Sequence, residues 1–195
     1  MIIHTMEQGT DEWFAVKLGK FSATSFTGLL MAKSTQGWND AVNKIVFERV
    51  TRTRQETYFN KAMQWGTEME PEARRAYELA TFQKVNQVGF VELNENVGCS
   101  PDGLISEDGL IEIKCPQPNT LIGYHISGKV PTNYNIQMQG QMWVTGRKWN
   151  IFYAWHPNLK PFEVLVERDE ALIKRIETEI GIALIEVKKR IKLLK

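Results

Sequence analysis

Two short stretches of this chain set chemically capable side chains at meaningful spacings: Ser100-Pro101-Asp102-Gly103 and Ile111-Glu112-Ile113-Lys114-Cys115. Side chains on an extended strand alternate between faces, so Glu112 and Lys114 project together while Ile111, Ile113 and Cys115 project the other way. A hairpin would bring Asp102, near the end of the preceding strand, beside Glu112. Two carboxylates that close repel each other unless a cation lies between them, and oxygen donors select hard divalent ions such as magnesium. Lys114 beside such an ion could orient or deprotonate a water and stabilise charge developing on a phosphate. A lone Glu-x-Lys is commonplace on a solvated hairpin. Pro-Asp, a hairpin-length gap and apolar flanks around Glu-x-Lys together are much more specific.

These residues need a frame. From Phe82 to Lys114 the pattern is β-like: Val85, Val88, Phe90 and Val91, then Val97 to Ser100, then Leu110 to Lys114, punctuated by Asn94-Glu95-Asn96 and Glu107-Asp108-Gly109. It predicts three successive strands in a meander. The first third reads as helical. Trp13, Phe14, Val16 and Leu18 cluster, and Ser22 or Thr24 could cap a helix entering Phe26, Leu29 and Leu30. Val42, Ile45, Val46 and Val50 recur at helical spacing over Asn39 to Arg52. Ala73, Ala76, Tyr77 and Ala80 mark a further helix from Glu70 to Thr81, with Pro71 suited to its first turn.

Beyond the strands, a helix is expected over Asn135 to Val144, strands at Trp149 to Trp155 and Phe162 to Val166, and a long amphipathic helix from Asp169 to Lys195. On that helix Ile173, Ile176, Ile180, Leu184, Val187, Ile191 and Leu194 form one stripe, read as packing against the sheet. Lys188, Lys189, Arg190, Lys192 and Lys195 crowd its end, where they suit the helix dipole without any contact to DNA.

At 43% hydrophobic and 24% charged residues, the composition is that of a soluble globular protein, and residues 1–195 read as a single domain. The segment from Met1 to Gly9 has no signal-peptide pattern and no stretch is long enough to span a bilayer, so the cytoplasm is the expected location. A net charge of +1 does not decide for or against nucleic acid, because an acidic metal site and basic phosphate contacts cancel. The two cysteines, Cys99 and Cys115, are too few for a four-cysteine zinc or iron–sulfur site and read as buried, reduced thiols on the inner face of the strands carrying the site.

Taken together, the motifs resemble the phage lambda exonuclease family, also called the YqaJ-like viral recombinases, within the PD-(D/E)xK nuclease superfamily. The resemblance runs along nearly the whole chain. It includes Asp11-Glu12-Trp13, Lys17-Leu18-Gly19, Ser22-Ala23-Thr24, Trp65-Gly66 followed by Glu70, and Cys99-Ser100-Pro101-Asp102-Gly103. It continues through Glu112-Ile113-Lys114-Cys115-Pro116, Gln137-Met138-Gln139 before Met142-Trp143-Val144-Thr145, and Glu167-Arg168-Asp169-Glu170.

The resemblance implies an α/β restriction-endonuclease-like core with a central mixed sheet flanked by helices. It implies Asp102, Glu112 and the carbonyl of Ile113 as metal ligands, Lys114 as the catalytic lysine, Glu70 as a helical acid helping to hold a metal, and Gln139 as a supporting glutamine. Periodicity alone leaves Glu70 and Glu72, and likewise Gln137 and Gln139, undecided; the family match favours Glu70 and Gln139. Met63 falls where the family has an apolar wedge that separates end base pairs, against the alternative of an ordinary core methionine. Lys17 stands where lambda exonuclease has an arginine holding the 5′-phosphate, and a lysine offers a point charge instead of a planar fork. Ser22 and Thr24 could add contacts to that phosphate or simply cap a helix.

The implied activity is 5′-to-3′ hydrolysis of double-stranded DNA to mononucleotides, leaving 3′ single-stranded tails for strand annealing in phage-type recombination. Two Mg2+ ions are implied as cofactors, with Mn2+ able to substitute. The implied partners are DNA ends, a single-strand annealing protein and further copies of the chain in a homotrimeric ring, in a bacterial host carrying the phage or prophage. The alternatives are another nuclease of the same core, structure-specific or restriction-type, and a DNA-binding protein that kept the fold without catalysis.

Overall fold

The computed structural model describes residues 1–55 and 61–194. Two mixed sheets form the frame. One joins β1 (Ile2–His4), β2 (Phe21–Ser22), β4 (Phe90–Asn94) and β5 (Val97–Cys99) in the order β1-β4-β5-β2. The other joins β3 (Val85–Asn86), β6 (Gly103–Ile105), β7 (Gly109–Lys114), β8 (Trp149–His156) and β9 (Leu159–Glu167) in the order β3-β6-β7-β8-β9. The helices are α1 (Asp11–Lys17), α2 (Phe26–Leu29), α3 (Gln36–Thr51), α4 (Lys61–Thr81), α5 (Pro118–Ser127), α6 (Thr132–Thr145) and α7 (Glu170–Leu193). A 3-10 turn at Ala23–Ser25 leads into α2.

The expected meander resolves into two hairpins that belong to different sheets. β4 and β5 pair antiparallel with Val91 opposite Cys99, whereas β6 and β7 pair antiparallel with Gly103 opposite Ile111. The chain leaves the first sheet at Cys99 and enters the second at Gly103. Between them Pro101 has no N–H to give to a ladder. β6 therefore takes the place beside β7 that was expected for the segment ending at Ser100. Cys99 is buried in the four-stranded sheet, not on the site-bearing one, and Cys115 lies one residue past β7; both thiols are free.

Two other expectations are corrected. Pro71 lies inside α4, not in its first turn, because the described helix already begins at Lys61. Lacking an N–H, Pro71 leaves the Thr67 carbonyl without its helical donor. The short strands β1 and β2 and the helix α5 were not anticipated. Two or three residues show no periodicity, and α5 buries only Leu121, so neither strands nor helix carry a readable pattern.

The five-stranded sheet is covered on both faces. Ala73 and Tyr77 of α4 pack on Ile105, Ile111, Ile113 and Ile151, and Leu121 of α5 and Met138 of α6 pack on Phe152, Ala154 and Phe162. β7 and β8 run parallel, with Glu112 opposite Phe152, so a crossover is required, and α5 and α6 supply it. α7 buries Ile173, Ile176, Ile180 and Val187 of the expected stripe together with Ala183, but it packs them chiefly against α2, α3 and α6 and not on a sheet, which corrects that expectation; Leu194 is exposed and Lys195 lies outside the described residues. No described helix is long and apolar enough to cross a membrane.

Gly103 is the residue on which β6 can lie close to its neighbours, since a Cβ there would stand 2.1 Å from Val85 Cγ1 and 3.1 Å from Ile111 Cγ2. Gly103→Ala is expected to destabilise the fold by about 1–3 kcal/mol, the usual cost of overpacking a filled core. The midpoint of denaturant unfolding checks this, and an unchanged midpoint would mean that β3 yields freely.

Candidate active site

β7 lies in the middle of its sheet, and the register that sets Gly103 opposite Ile111 sets Asp102 opposite Glu112. Asp102 Oδ2 accepts the Ile113 N–H at 2.7 Å, leaving Oδ1 without a donor among the described residues. Glu112 has no exposed side-chain surface. Lys114 Nζ donates to Glu112 Oε1 and, at 3.0 Å, to the Ile113 carbonyl, and stands 3.9 Å from Asp102 Oδ2. Burial, and then the charge of Glu112, raise the Asp102 carboxyl well above the usual range. Burial alone would lower Lys114, but Glu112 and Asp102 outweigh it and hold the ammonium above its ordinary value.

α6 completes the set. Gln137 Nε2 donates to Glu112 Oε1 at 2.7 Å, and Gln141 Nε2 donates to Glu112 Oε2 at 2.6 Å. Gln141 is itself held by Asn150 of β8, whose Nδ2 donates to its Oε1 at 2.8 Å. Gln139 does not join them, which corrects the expectation for that residue. Its Nε2 donates to the Glu167 carbonyl and its Oε1 accepts the Asp169 N–H, both at 2.8 Å, so it pins the junction between β9 and α7. The reason is helical geometry: two residues turn the side chain through about 200°, whereas four return it to the same face. The spacing of Gln137 and Gln141 was the available signal.

The opposite wall is α4. Met63, Gly66, Thr67 and Glu70 fall on one helical stripe and line a cavity of about 610 Å³ with Ile113, Lys114 and Tyr134. Glu70 faces this cavity and pairs with Arg74, while Glu72 is exposed elsewhere. Burial raises the Glu70 carboxyl, with Arg74 and Lys114 pulling it back. Met63 is 46% exposed at the cavity wall, which removes the reading of it as a core residue.

The donors gathered here are oxygens: the carboxylates of Asp102, Glu112 and Glu70 and the Ile113 carbonyl. Cys115 also lines the cavity, but burial pushes its thiol up to about 12, so it offers no soft thiolate. No three Asp, Glu, His or Cys side chains form a ready-made metal cage among the described residues. The donor chemistry nonetheless fits a hard divalent cation, which would offset the repulsion between Asp102 and Glu112.

Lys17, Ser22 and Thr24 lie outside this cavity. Lys17 Nζ stands 3.3 Å from the Trp13 ring centroid, and Trp13 Nε1 donates to the Gly89 carbonyl at 2.8 Å and Ser100 Oγ at 2.9 Å. Burial, then the Lys44 ammonium, push Lys17 down to about 7. The buried thiol of Cys99 feels the charges of both Glu112 and Lys17. The turn after α1 is held from α3: Glu48 Oε2 accepts the Gly19 N–H at 2.9 Å and Arg49 Nε donates to the Gly19 carbonyl at 2.8 Å. Gly19 has φ +72, the left-handed region that glycine enters without strain. Ser22 and Thr24 hydroxyls lie 3.1 Å apart, and Ser22 makes no side-chain capping bond, so capping does not account for them.

With the geometry in place, residues 12–148 match the family model of the YqaJ-like viral recombinase domain. Among solved structures the chain is similar to an alkaline exonuclease (LHK-Exo) from Laribacter hongkongensis, with 39% identity, a TM-score of 0.88 and coverage of 95% of this chain and 96% of that one. The complex of LHK-Exo with dAMP gives 38% identity and a TM-score of 0.89 at the same coverages. A phage-related exonuclease from Haemophilus somnus 129PT shares the fold, at 18% identity, a TM-score of 0.73 and coverage of 90% of this chain and 96% of that one. Comparison with curated protein sequences gives no match.

The two glutamines can be told apart. Gln137→Ala is expected to cut nuclease rates at least about tenfold with little effect on folding, whereas Gln139→Ala should cost about 1–3 kcal/mol of stability by leaving the Asp169 N–H unpaired. Parallel unfolding curves and initial rates check this, and the opposite assortment would put Gln139 back at the site. For Lys17, the folded pKa near 7 lies below the ordinary 10.5, so between those values the unfolded chain binds more protons and stability rises with pH. Lys17→Met is therefore expected to raise the thermal midpoint most below pH 7, with the gain shrinking toward pH 10. A gain independent of pH would show that the ammonium is not what burial opposes.

Proposed function

The chain belongs to the YqaJ-like viral recombinase family, and from that footing we propose that it is a magnesium-dependent exonuclease of double-stranded DNA, acting as one domain from 5′ ends and releasing mononucleotides. The observation that carries this reading is the buried pair Asp102 and Glu112 with the Lys114 ammonium against them, Lys114 itself lining a cavity walled by Glu70 and Met63. The dAMP bound by LHK-Exo is a mononucleotide of the class such a reaction would release.

Asp102, Glu112 and the Ile113 carbonyl would hold Mg2+, with Glu70 assisting, and Mn2+ could take its place. When bound, such an ion supplies Lewis-acid stabilisation and a water of lowered pKa. The protein's own groups supply position and charge. Gln137 and Gln141 fix the Glu112 carboxylate, the Ile113 N–H fixes Asp102, and Lys114 presents a cation where charge develops on the phosphate oxygens. Met63, exposed at the cavity wall, is suited to meet the terminal base pair. Lys17, with the Ser22 and Thr24 hydroxyls, is suited to a terminal 5′-phosphate. The 3′ single-stranded tails left behind would feed strand annealing with a single-strand annealing protein, and the working form would be a homotrimeric ring in the cytoplasm of a bacterial host.

The test incubates linear duplex and covalently closed circular DNA with Mg2+, with Mn2+ or with chelator. Linear DNA is expected to yield mononucleotides from its 5′ ends in either metal, circles to persist, and chelator to stop the reaction. Lys114→Ala should lower the rate by about 10²–10³-fold while its circular dichroism and end binding remain. Circles cut as fast as linear DNA would point to an endonuclease of the same core, and near-normal rates for Lys114→Ala would remove β7 from the chemistry.

A further inference from the structure

A groove of about 680 Å³ between α2 and α3 is lined by Thr24, Ser25, Lys44 and Phe47. Lys44 Nζ stands 4.0 Å from Glu48 Oε1, while Glu48 Oε2 accepts the N–H of Gly19 at 2.9 Å. Lys44 is therefore separated from the Lys17-Leu18-Gly19 turn by the width of one carboxylate, and it shares the groove with Thr24, whose hydroxyl lies 3.1 Å from that of Ser22.

Lys17 makes no hydrogen bond or ion pair among the described residues; its ammonium rests on the Trp13 ring. The Glu48 carboxylate is divided: its Oε1 stands 4.0 Å from Lys44, its Oε2 accepts the Gly19 N–H, and its charge also acts on Lys17. Two ammonium groups that share one carboxylate at this turn are stabilised by an incoming anion. The mutual effect is visible in Lys17, which burial and then Lys44 push down to about 7.

Resting on the exonuclease reading above, we infer that Lys44 joins Lys17 in holding the terminal 5′-phosphate, two separate ammonium groups standing where lambda exonuclease uses the single fork of an arginine. The ligand chemistry favours an end over an internal position. A phosphate monoester carries about 1.5 to 2 negative charges at neutral pH, against one on a backbone diester, so a second lysine discriminates in favour of the monoester. Lys44 is half exposed, with 42% of its side-chain surface accessible, so replacing it does not open the core.

The experiment compares initial rates on 5′-phosphorylated and 5′-hydroxyl linear duplexes for wild type, Lys44→Met and Lys44→Arg, at low and moderate salt. In parallel, equilibrium binding of the same two duplexes is measured in chelator, where no digestion occurs. Wild type is expected to prefer the phosphorylated end in both readouts. Lys44→Met should narrow that preference about three- to tenfold, and Lys44→Arg should keep it, since the charge remains. The remaining preference of Lys44→Met should fall less steeply with salt, with one cation fewer in play. A Lys44→Met ratio within twofold of wild type overturns the inference, as does a wild type with no end preference in either readout. Equal losses on both duplexes would assign Lys44 to a backbone phosphate and overturn the terminal one. Failure of wild type to digest any linear duplex while still binding phosphorylated ends preferentially would sink the exonuclease reading and leave the role of Lys44 standing.

Discussion

Glu112 is a carboxylate with no exposed surface in the middle of a five-stranded sheet, next to a second carboxylate, Asp102, and much of the surrounding structure offsets the cost of that placement. Burying one unpaired charge costs several kcal/mol and burying two of like sign costs more. The Ile113 N–H meets Asp102, the Lys114 ammonium meets Glu112, and two amides from α6 meet both oxygens of Glu112. The amides arrive because β7 and β8 are parallel. A parallel pair needs a crossover, and here the crossover lays α6 along the face from which Glu112 projects.

The other carboxylate is fixed from the N-terminal side. Asp102 sits where the chain passes from one sheet to the other, a place with no ladder of its own to hold it. Gln8 Nε2 donates to the Val88 carbonyl at 2.9 Å and to the Pro101 carbonyl at 3.0 Å, and Trp13 reaches Gly89 and Ser100. The segment that carries Lys17 thus also tethers the residues just before Asp102. One stretch of chain couples the basic groups near Ser22 and Thr24 to the acidic pair.

Cys99 is fully buried, with its thiol held far above the usual range by burial and by the charge of Glu112. Such a thiol stays protonated and serves as packing. The ammonium of Lys17 is the contrasting case: burial and then Lys44 lower its pKa to about 7, Glu48 pulls it back, and the Trp13 ring lies against it.

Much of this was legible in the sequence, for physical reasons that can be named. Strand alternation put Glu112 and Lys114 on one face, and the gap back to Asp102 had hairpin length. Apolar spacing gave α3 and α7 nearly to their ends. The strand beside β7 was not legible, because Gly103–Ile105 is too short for a pattern and Pro101 disguised a change of sheet as a continuous meander. Nor was the start of α4, where Pro71 mimicked a first turn.

Among the polar residues, the sequence determined which types were present, and packing decided which of them met. Gln137 and Gln141 face Glu112 while Gln139 turns to Asp169, a choice made by the rotation of α6 on the sheet. Lys44 and Lys17, 27 positions apart, gained a shared neighbour when Glu48 closed on Gly19. Local periodicity is written along the chain, because it follows from the backbone's own repeat. Contacts between distant polar side chains depend on how whole elements are oriented against one another, and only the tertiary structure sets that.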